Sequence, residues 1–291
     1  MAEQRLLLTG ASGNTGLEVV RRLVKDVPGV QLVALVRPST NAEALEKLGV
    51  TCHVCDLGRS ETWVDTLTAQ TVFIEMANLR LARTMVPAMR AAGVRRAFCV
   101  TTTAVFSKHH SYSALYREIE EELISSGLET TLLRPSMIYG NERDHNMHRL
   151  LRFLSRSPVF PLFGGGKALM QPVHVHDLAA GIVRAVQRDA TGAFNLAGPN
   201  AISYRQVILD AYAALGRLGL LISIPAPPVE VALRALERLP GFPITHEQVV
   251  RLQEDKNFDI STARDQLGYA PRSFVEGISE EALRLRKVGV L

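Results

Sequence analysis

The chain has 291 residues, 47% of them hydrophobic and 21% charged, with a formal net charge of +4. That is ample chain for a full core and an ordinary composition for a soluble globular protein. No apolar run approaches the roughly 18 residues that a membrane-crossing helix needs, and the small charge is spread rather than clustered, so neither a membrane span nor a nucleic-acid partner is expected.

The three cysteines, Cys52, Cys55 and Cys99, are an odd number in a chain large enough to need no disulfides, which fits a reducing compartment. The opening residues carry neither the long apolar region nor the small-residue cleavage site of a secretion signal. A cytoplasmic location is the expectation.

In chain order, Arg5 to Thr9, Gln31 to Val36, Val50 to Cys55, Thr71 to Met76, Ala97 to Thr101 and Glu129 to Arg134 read as strands. Helical patterns lie between them near Thr15 to Lys25, Asn41 to Lys47, Glu61 to Leu67, Leu79 to Ala92 and Tyr112 to Ser125. Strict alternation of strand and helix means crossover units and a parallel sheet. Gly49, Gly93 and Gly127 fall where helices should end, as residues that accept the left-handed conformation. Beyond Arg134 the punctuation by Pro and Gly thickens, and Ile224 to Pro228 leads into helices expected over Val229 to Leu239 and from Thr245. The division expected is a nucleotide-binding domain over residues 1–140, and over 141–291 the rest of the sheet with a smaller substrate-facing lobe.

The first strand runs directly into Gly10-Ala11-Ser12-Gly13-Asn14-Thr15-Gly16 and then a helix. Gly10 permits the tight reversal, Gly13 lets backbone approach a pyrophosphate, and Gly16 lets helix and strand pack closely, with free N–H groups facing the phosphates. A dinucleotide site is the reading, because a strand precedes the triplet and a helix follows it. About twenty residues on, where an NAD site carries an acid for the ribose hydroxyl, the second strand ends in Arg37, followed by Ser39 and Thr40. The guanidinium fork suits a 2′-phosphate, so NADP is preferred, with NAD the alternative.

These residues resemble the extended and atypical short-chain dehydrogenase/reductase superfamily, the epimerase/dehydratase-like and NmrA-like NAD(P)-binding proteins. The opening TGASGNTG is similar to its TGxxGxxG, and Asn14-Thr15 to the NmrA-like subgroup. Asp56-Leu57 resembles the pair contacting the adenine, Arg134-Pro135 with Tyr139-Gly140 resembles RPxxxYG, and Val173 to Ala179 resembles VHVxDLA. Phe194 to Gly198 and Leu267 to Arg272 resemble its C-terminal signposts. The resemblance implies a Rossmann doubly wound parallel sheet. With the glycine turn and Arg37, it implies cofactor contacts from Gly10, Ser12, Gly13, Asn14, Thr15, Gly16, Arg37, Asp56, Leu57, Met76, Ala77, Thr101, Tyr112 and Pro135. It implies catalysis by Thr102, with Thr101 and Thr103 as neighbours, and by Tyr112.

The superfamily's chemistry needs Tyr-xxx-Lys, and here the lysine position holds Tyr116. A tyrosine of ordinary pKa near 10 is about one part in a thousand ionised at pH 7, and a second tyrosine adds no charge to lower it. Arg117 follows but points about a quarter-turn away, and Lys108, His109 and His110 could supply charge from the preceding loop. Glu75-Met76-Ala77 runs almost at once into the next helix, shortening a connection that walls the pocket in typical sugar-nucleotide epimerases. Two functions therefore stay open: an NADP(H)-dependent oxidoreductase or epimerase-like enzyme on a small carbonyl or sugar-type substrate, and a non-catalytic sensor or assembly factor. Expected partners are a small-molecule substrate or none, and a homodimer is compatible.

Other patterns carry less. Cys52-His53-Val54-Cys55 has no second pair and reads as a strand, so core or edge cysteines are expected. His174 and His176 would share a strand face, but no further ligand cluster accompanies them and no metal is expected. Phe163 to Lys167 lacks the full phosphate-loop pattern and reads as a flexible loop.

Overall fold

Strands buried on both faces of a parallel sheet must be apolar along their whole length. Leu6, Leu7 and Leu8 are 0% exposed, and Leu32 to Val36 are all buried. The computed structural model describes residues 5–144, 146–224 and 253–291; the side chains of residues 110–112 and 163 lie outside the description. So do the helices expected over Val229 to Leu239 and from Thr245.

The strands are β1 (Arg5–Thr9), β2 (Gln31–Val36), β3 (Thr51–Val54), β4 (Thr71–Glu75), β5 (Arg96–Val100), β6 (Glu129–Pro135), β7 (Ile138–Tyr139), β8 (Val159–Phe163), β9 (Leu169–Met170), β10 (Val173–His174), β11 (Gly192–Leu196), β12 (Ile202–Ser203) and β13 (Leu220–Ile224). The helices are α1 (Asn14–Asp26), α2 (Glu43–Glu46), α3 (Ala82–Ala91), α4 (His110–Ile124), α5 (Met147–Leu154), α6 (Val175–Gln187), α7 (Tyr204–Ala214), α8 (Ser261–Leu267) and α9 (Phe274–Lys287).

Seven strands form one parallel sheet in the order β11-β6-β5-β4-β1-β2-β3. The chain winds outward from β1 through β2 and β3, returns to β4 on the other side, and winds away through β5, β6 and β11. This is the doubly wound Rossmann arrangement, and ligands of such sheets bind beyond the strand C-termini where the order reverses. Here the reversal lies between β1 and β4. One unit comprises residues 1–136, 175–196 and 259–270, so α6, β11 and α8 belong with the sheet. Its core gathers Leu7, Val33, Trp63, Phe73, Met85, Ala97 and Ile119.

The helix expected over Glu61 to Leu67 is instead two 3₁₀ turns, Ser60–Thr62 and Val64–Thr66. Between them Trp63, 0% exposed, takes φ −148° to reach the core, which a continuous helix does not allow. Gly49, Gly93 and Gly127 take positive φ (+78°, +73° and +80°).

The second unit comprises residues 137–174, 197–258 and 271–291. Three two-stranded pairs, β7 with β10, β9 with β12 and β8 with β13, accompany helices α5, α7 and α9. Tyr139, Leu151, Ile208, Tyr212 and Ile278 form its core. Ser273 opens α9 with a reciprocal capping box to Glu276. Gly164, Gly165 and Gly166 form a tight turn with φ of +59°, +73° and +65°, left-handed values that favour glycine. In α9, Glu281 is fully buried, and desolvation with the neighbouring Asp144 pushes its carboxyl up to about 10, so it is neutral at pH 7. Among the described residues no helix is long and apolar enough to cross a membrane.

Candidate functional site

The glycine turn and the segments after β2, β3, β4 and β5 all leave the C-terminal end of the sheet. Strand β1 ends at Thr9, and Gly10 turns the chain at φ +65°. Gly13 donates to the Gly10 carbonyl at 2.9 Å and serves as the N-cap of α1, where it offers no capping side chain. The helix therefore opens with backbone N–H groups and no acid in its first turn, an arrangement suited to an anion. A Cβ on Gly16 would stand 2.0 Å from the Gly10 carbonyl oxygen, so only glycine lets α1 begin this close to β1. That clearance fits the backbone approach a dinucleotide pyrophosphate requires.

Around this turn, Arg37 and Ser39 are exposed just past β2, where a turn closes from Thr40 N–H to the Arg37 carbonyl at 2.9 Å. Asp56 is exposed after β3, and its Oδ1 accepts from Gly58 N–H at 2.9 Å. The Leu57 side chain goes into the core, leaving its backbone for any ligand. Met76 and Ala77 follow β4 beside Gly10. Thr101 and Thr102 follow β5, and Pro135 closes β6, its carbonyl accepting from the Thr103 hydroxyl at 3.2 Å. Thr102 Oγ1 accepts from Ala104 N–H at 3.1 Å and caps the short 3₁₀ turn Thr103–Phe106.

Tyr112 lies in the first turn of α4, and its side chain is outside the described residues. Tyr116, expected in the lysine position, is half-buried and packs against the apolar core. Arg117 points elsewhere: its Nε and Nη2 each donate at 2.7 Å, to the carbonyls of Val105 and Ser107. It pins the loop that follows Thr102. Lys108 is exposed.

Glu120 and Glu75 are buried acids that the sequence did not single out. Glu120, 4% exposed, lies on α4 and grips Arg134 through both oxygens at 2.5 to 3.1 Å, while accepting the Thr101 hydroxyl at 2.6 Å. The Arg134 guanidinium sits 5.2 Å from the centre of the Phe106 ring. The signal available was spacing, since Glu120 follows Tyr116 by one helical turn on the same face. The second, Glu75, ends β4 and is 2% exposed. Burial pushes its carboxyl up to about 7 against the pull of hydrogen bonds from Asn78, Ala77 and Thr9. A charged residue closing an otherwise apolar buried strand was its signal.

The histidine pair is corrected by the backbone. β10 ends at His174 and α6 begins at Val175, so His176 is helical and the two do not alternate along one strand. His174 meets Tyr139 edge-on at 5.3 Å, and His176 Nε2 stands 3.5 Å from Glu18. All three cysteines are free thiols. Burial raises the pKa of Cys52 and Cys55, and raises that of Cys99 far more, so none is a ready thiolate.

Comparison with known proteins agrees with this geometry. Residues 10–189 match the family model described as NAD(P)H-binding. YbjS of Escherichia coli, a protein without an assigned function, is 24% identical over 99% of both chains. A solved nucleoside-diphosphate-sugar epimerase from Pseudomonas aeruginosa superposes with TM-score 0.80 at 17% identity over the whole of both chains. The NADPH-dependent quinone oxidoreductase QOR2 of Escherichia coli superposes with TM-score 0.73 at 22% identity, covering 94% of this chain and 98% of that one. The chain belongs to the NAD(P)H-binding family, and its fold is that of these epimerases and reductases.

Proposed function

We propose that this protein binds NADP(H) at the Gly10–Gly16 turn and is an oxidoreductase acting on a small carbonyl-bearing substrate in the cytoplasm. The observation that carries the reading is that these residues follow neighbouring parallel strands at one edge of the sheet: the turn follows β1, Arg37 follows β2, and Thr102 follows β5 beyond β4. The likeness to a quinone oxidoreductase supports reduction, with quinones among the carbonyl compounds to try. The bound nicotinamide would supply the hydride, and the chain's own part is to position and to protonate. Thr102, fixed by its bond to Ala104 N–H, would hold the carbonyl oxygen, and Tyr112 would give it a proton. Tyr116 in place of the lysine adds no positive charge to favour a phenolate at Tyr112. That suits donation of a proton to a carbonyl oxygen, the step a reduction needs.

A stopped spectrum at the nicotinamide band across quinones, aldehydes and sugar nucleotides tests this. Tyr112→Phe and Thr102→Ala should each lower turnover about 10²- to 10³-fold, and Thr102→Ala should leave NADPH affinity nearly unchanged. Binding of NADPH without turnover of any of the three classes would favour the second reading, a non-catalytic sensor or assembly factor, which Tyr116 in the lysine position supports.

Cofactor choice is tested separately at Arg37. A charge-assisted contact to a 2′-phosphate contributes about 1.5 to 3 kcal/mol. Arg37→Ala should therefore weaken NADPH binding roughly 10- to 100-fold and leave NADH binding within about twofold. Equal loss for both dinucleotides, read by fluorescence titration, would sink the NADP assignment.

A further inference from the structure

A carboxyl at the buried end of β4 must be held by donors. Glu75 Oε1 accepts the N–H groups of Ala77 at 2.9 Å and Asn78 at 2.8 Å, and the Thr9 hydroxyl at 3.5 Å. Thr9 Oγ1 in turn accepts Met76 N–H at 3.1 Å. The other oxygen, Oε2, is buried and has no hydrogen-bond partner among the described residues. This ring of bonds joins the two strand ends that floor the glycine turn. Thr9 precedes Gly10, and Gly10 lies so close to Met76 that a Cβ on it would stand 2.6 Å from the Met76 carbonyl oxygen.

The groups around Glu75 do not offset its charge. β1 presents the Thr9 hydroxyl, and the turn after β4 presents N–H groups. β5 presents its register partner Cys99, whose thiol is held neutral by burial and by Glu75 itself. Beyond Cys99, Glu120 of α4 is already paired with Arg134. Among the described residues no cation helps to set the ionisation of Glu75.

We propose that Glu75 is the positioning residue of the cofactor cradle, and that dinucleotide binding at the Gly10–Gly16 turn draws a proton onto it. The inference rests on dinucleotide binding there and on no part of the proposed reaction. A bound diphosphate brings negative charge to the turn that starts one residue after Thr9. A like charge disfavours the ionised carboxyl, and buried ground is little screened by salt. Protonation removes the charge yet leaves Oε1 an acceptor, so the wall of Met76 and Ala77 keeps its place. The free protein's carboxyl titrates at about 7, and binding raises that value. Affinity is then level below the free value and falls as pH rises through it toward the bound one.

The test measures NADPH affinity by calorimetry on the full chain between about pH 7 and 8.5, above the range where a 2′-phosphate titrates. In the wild type, affinity should fall about five- to tenfold across this window. Glu75→Gln, neutral throughout, should flatten the profile and bind more tightly than the wild type at the upper end. Should that variant fail to fold, the wild type alone decides: runs in two buffers of different ionisation enthalpy should show uptake of roughly half a proton per NADPH near pH 7.5. A parallel fall in both proteins, or an uptake near zero, overturns the proposal. Absence of NADPH binding at every pH would remove the dinucleotide site and the inference with it.

Discussion

Gly16→Ala should abolish measurable NADPH binding, with a loss of at least about 100-fold. The added Cβ would lie 2.0 Å from Gly10 O, 2.7 Å from Ala11 Cα and 2.8 Å from Gly10 C, all of them backbone atoms. No side chain can swing aside there. Either α1 moves off the turn or the turn itself opens, and Gly10 cannot yield easily, because it sits at φ +65° with Met76 and Ala77 against it. Overpacking of this kind typically costs about 1 to 3 kcal/mol, or roughly 3 to 10 °C in melting temperature for a protein of this size. The ligand loses more than the fold does, because the N–H groups that would face the diphosphate shift with the helix. Gly49→Ala is the control. Gly49 has φ +78° but nothing within 4 Å of its added Cβ, so backbone strain of about 1 kcal/mol is the whole cost and binding should survive. Titration of both variants decides the matter, and a Gly16→Ala protein that binds NADPH as the wild type does would falsify the role given to the turn.

What the sequence revealed of the fold and site divides along physical lines. The parallel sheet was readable because both faces of each central strand are buried, which writes an apolar run such as Leu6-Leu7-Leu8 directly into the chain. The glycine turn was readable because conformation and close packing leave no other residue at Gly10 or Gly16. Where one side chain's packing overrides local periodicity, the reading failed. Trp63 breaks an expected helix into two 3₁₀ turns, and α6 begins one residue before His176, ending the strand pattern assumed there. Glu75 and Glu120 were missed because a lone acid in a sequence looks the same whether water or protein surrounds it. Their significance lies in partners 66 and 14 residues away, Thr9 and Arg134, which no local pattern announces.

Glu120→Ala should be the most destabilising loss of a charge on α4, costing about 3 to 5 kcal/mol. The same helix supplies its own comparison. Arg83 bonds Glu118 at 2.6 Å and Glu122 at 2.8 Å, distances close to the 2.5 Å between Arg134 and Glu120. Geometry therefore does not separate the pairs; exposure does. The side chains of Arg83, Glu118 and Glu122 are 52%, 59% and 39% exposed, whereas those of Arg134 and Glu120 are 18% and 5%. In water each charge of the first group keeps its hydration, so Arg83→Ala should cost no more than about 1 kcal/mol. Removing Glu120 strands the Arg134 guanidinium in ground that water scarcely reaches and leaves the Thr101 hydroxyl without its acceptor. The loss is thus the desolvation of the partner left behind more than the attraction of the pair. The double variant Glu120→Leu/Arg134→Met, which buries no charge, should accordingly recover much of the deficit, a coupling of at least about 2 kcal/mol in a double-mutant cycle. Denaturant midpoints read the wild type, Glu120→Ala, Arg83→Ala, and the cycle's Glu120→Leu, Arg134→Met and double variants. If Glu120→Ala unfolded no more easily than Arg83→Ala, burial would not be what makes this pair matter.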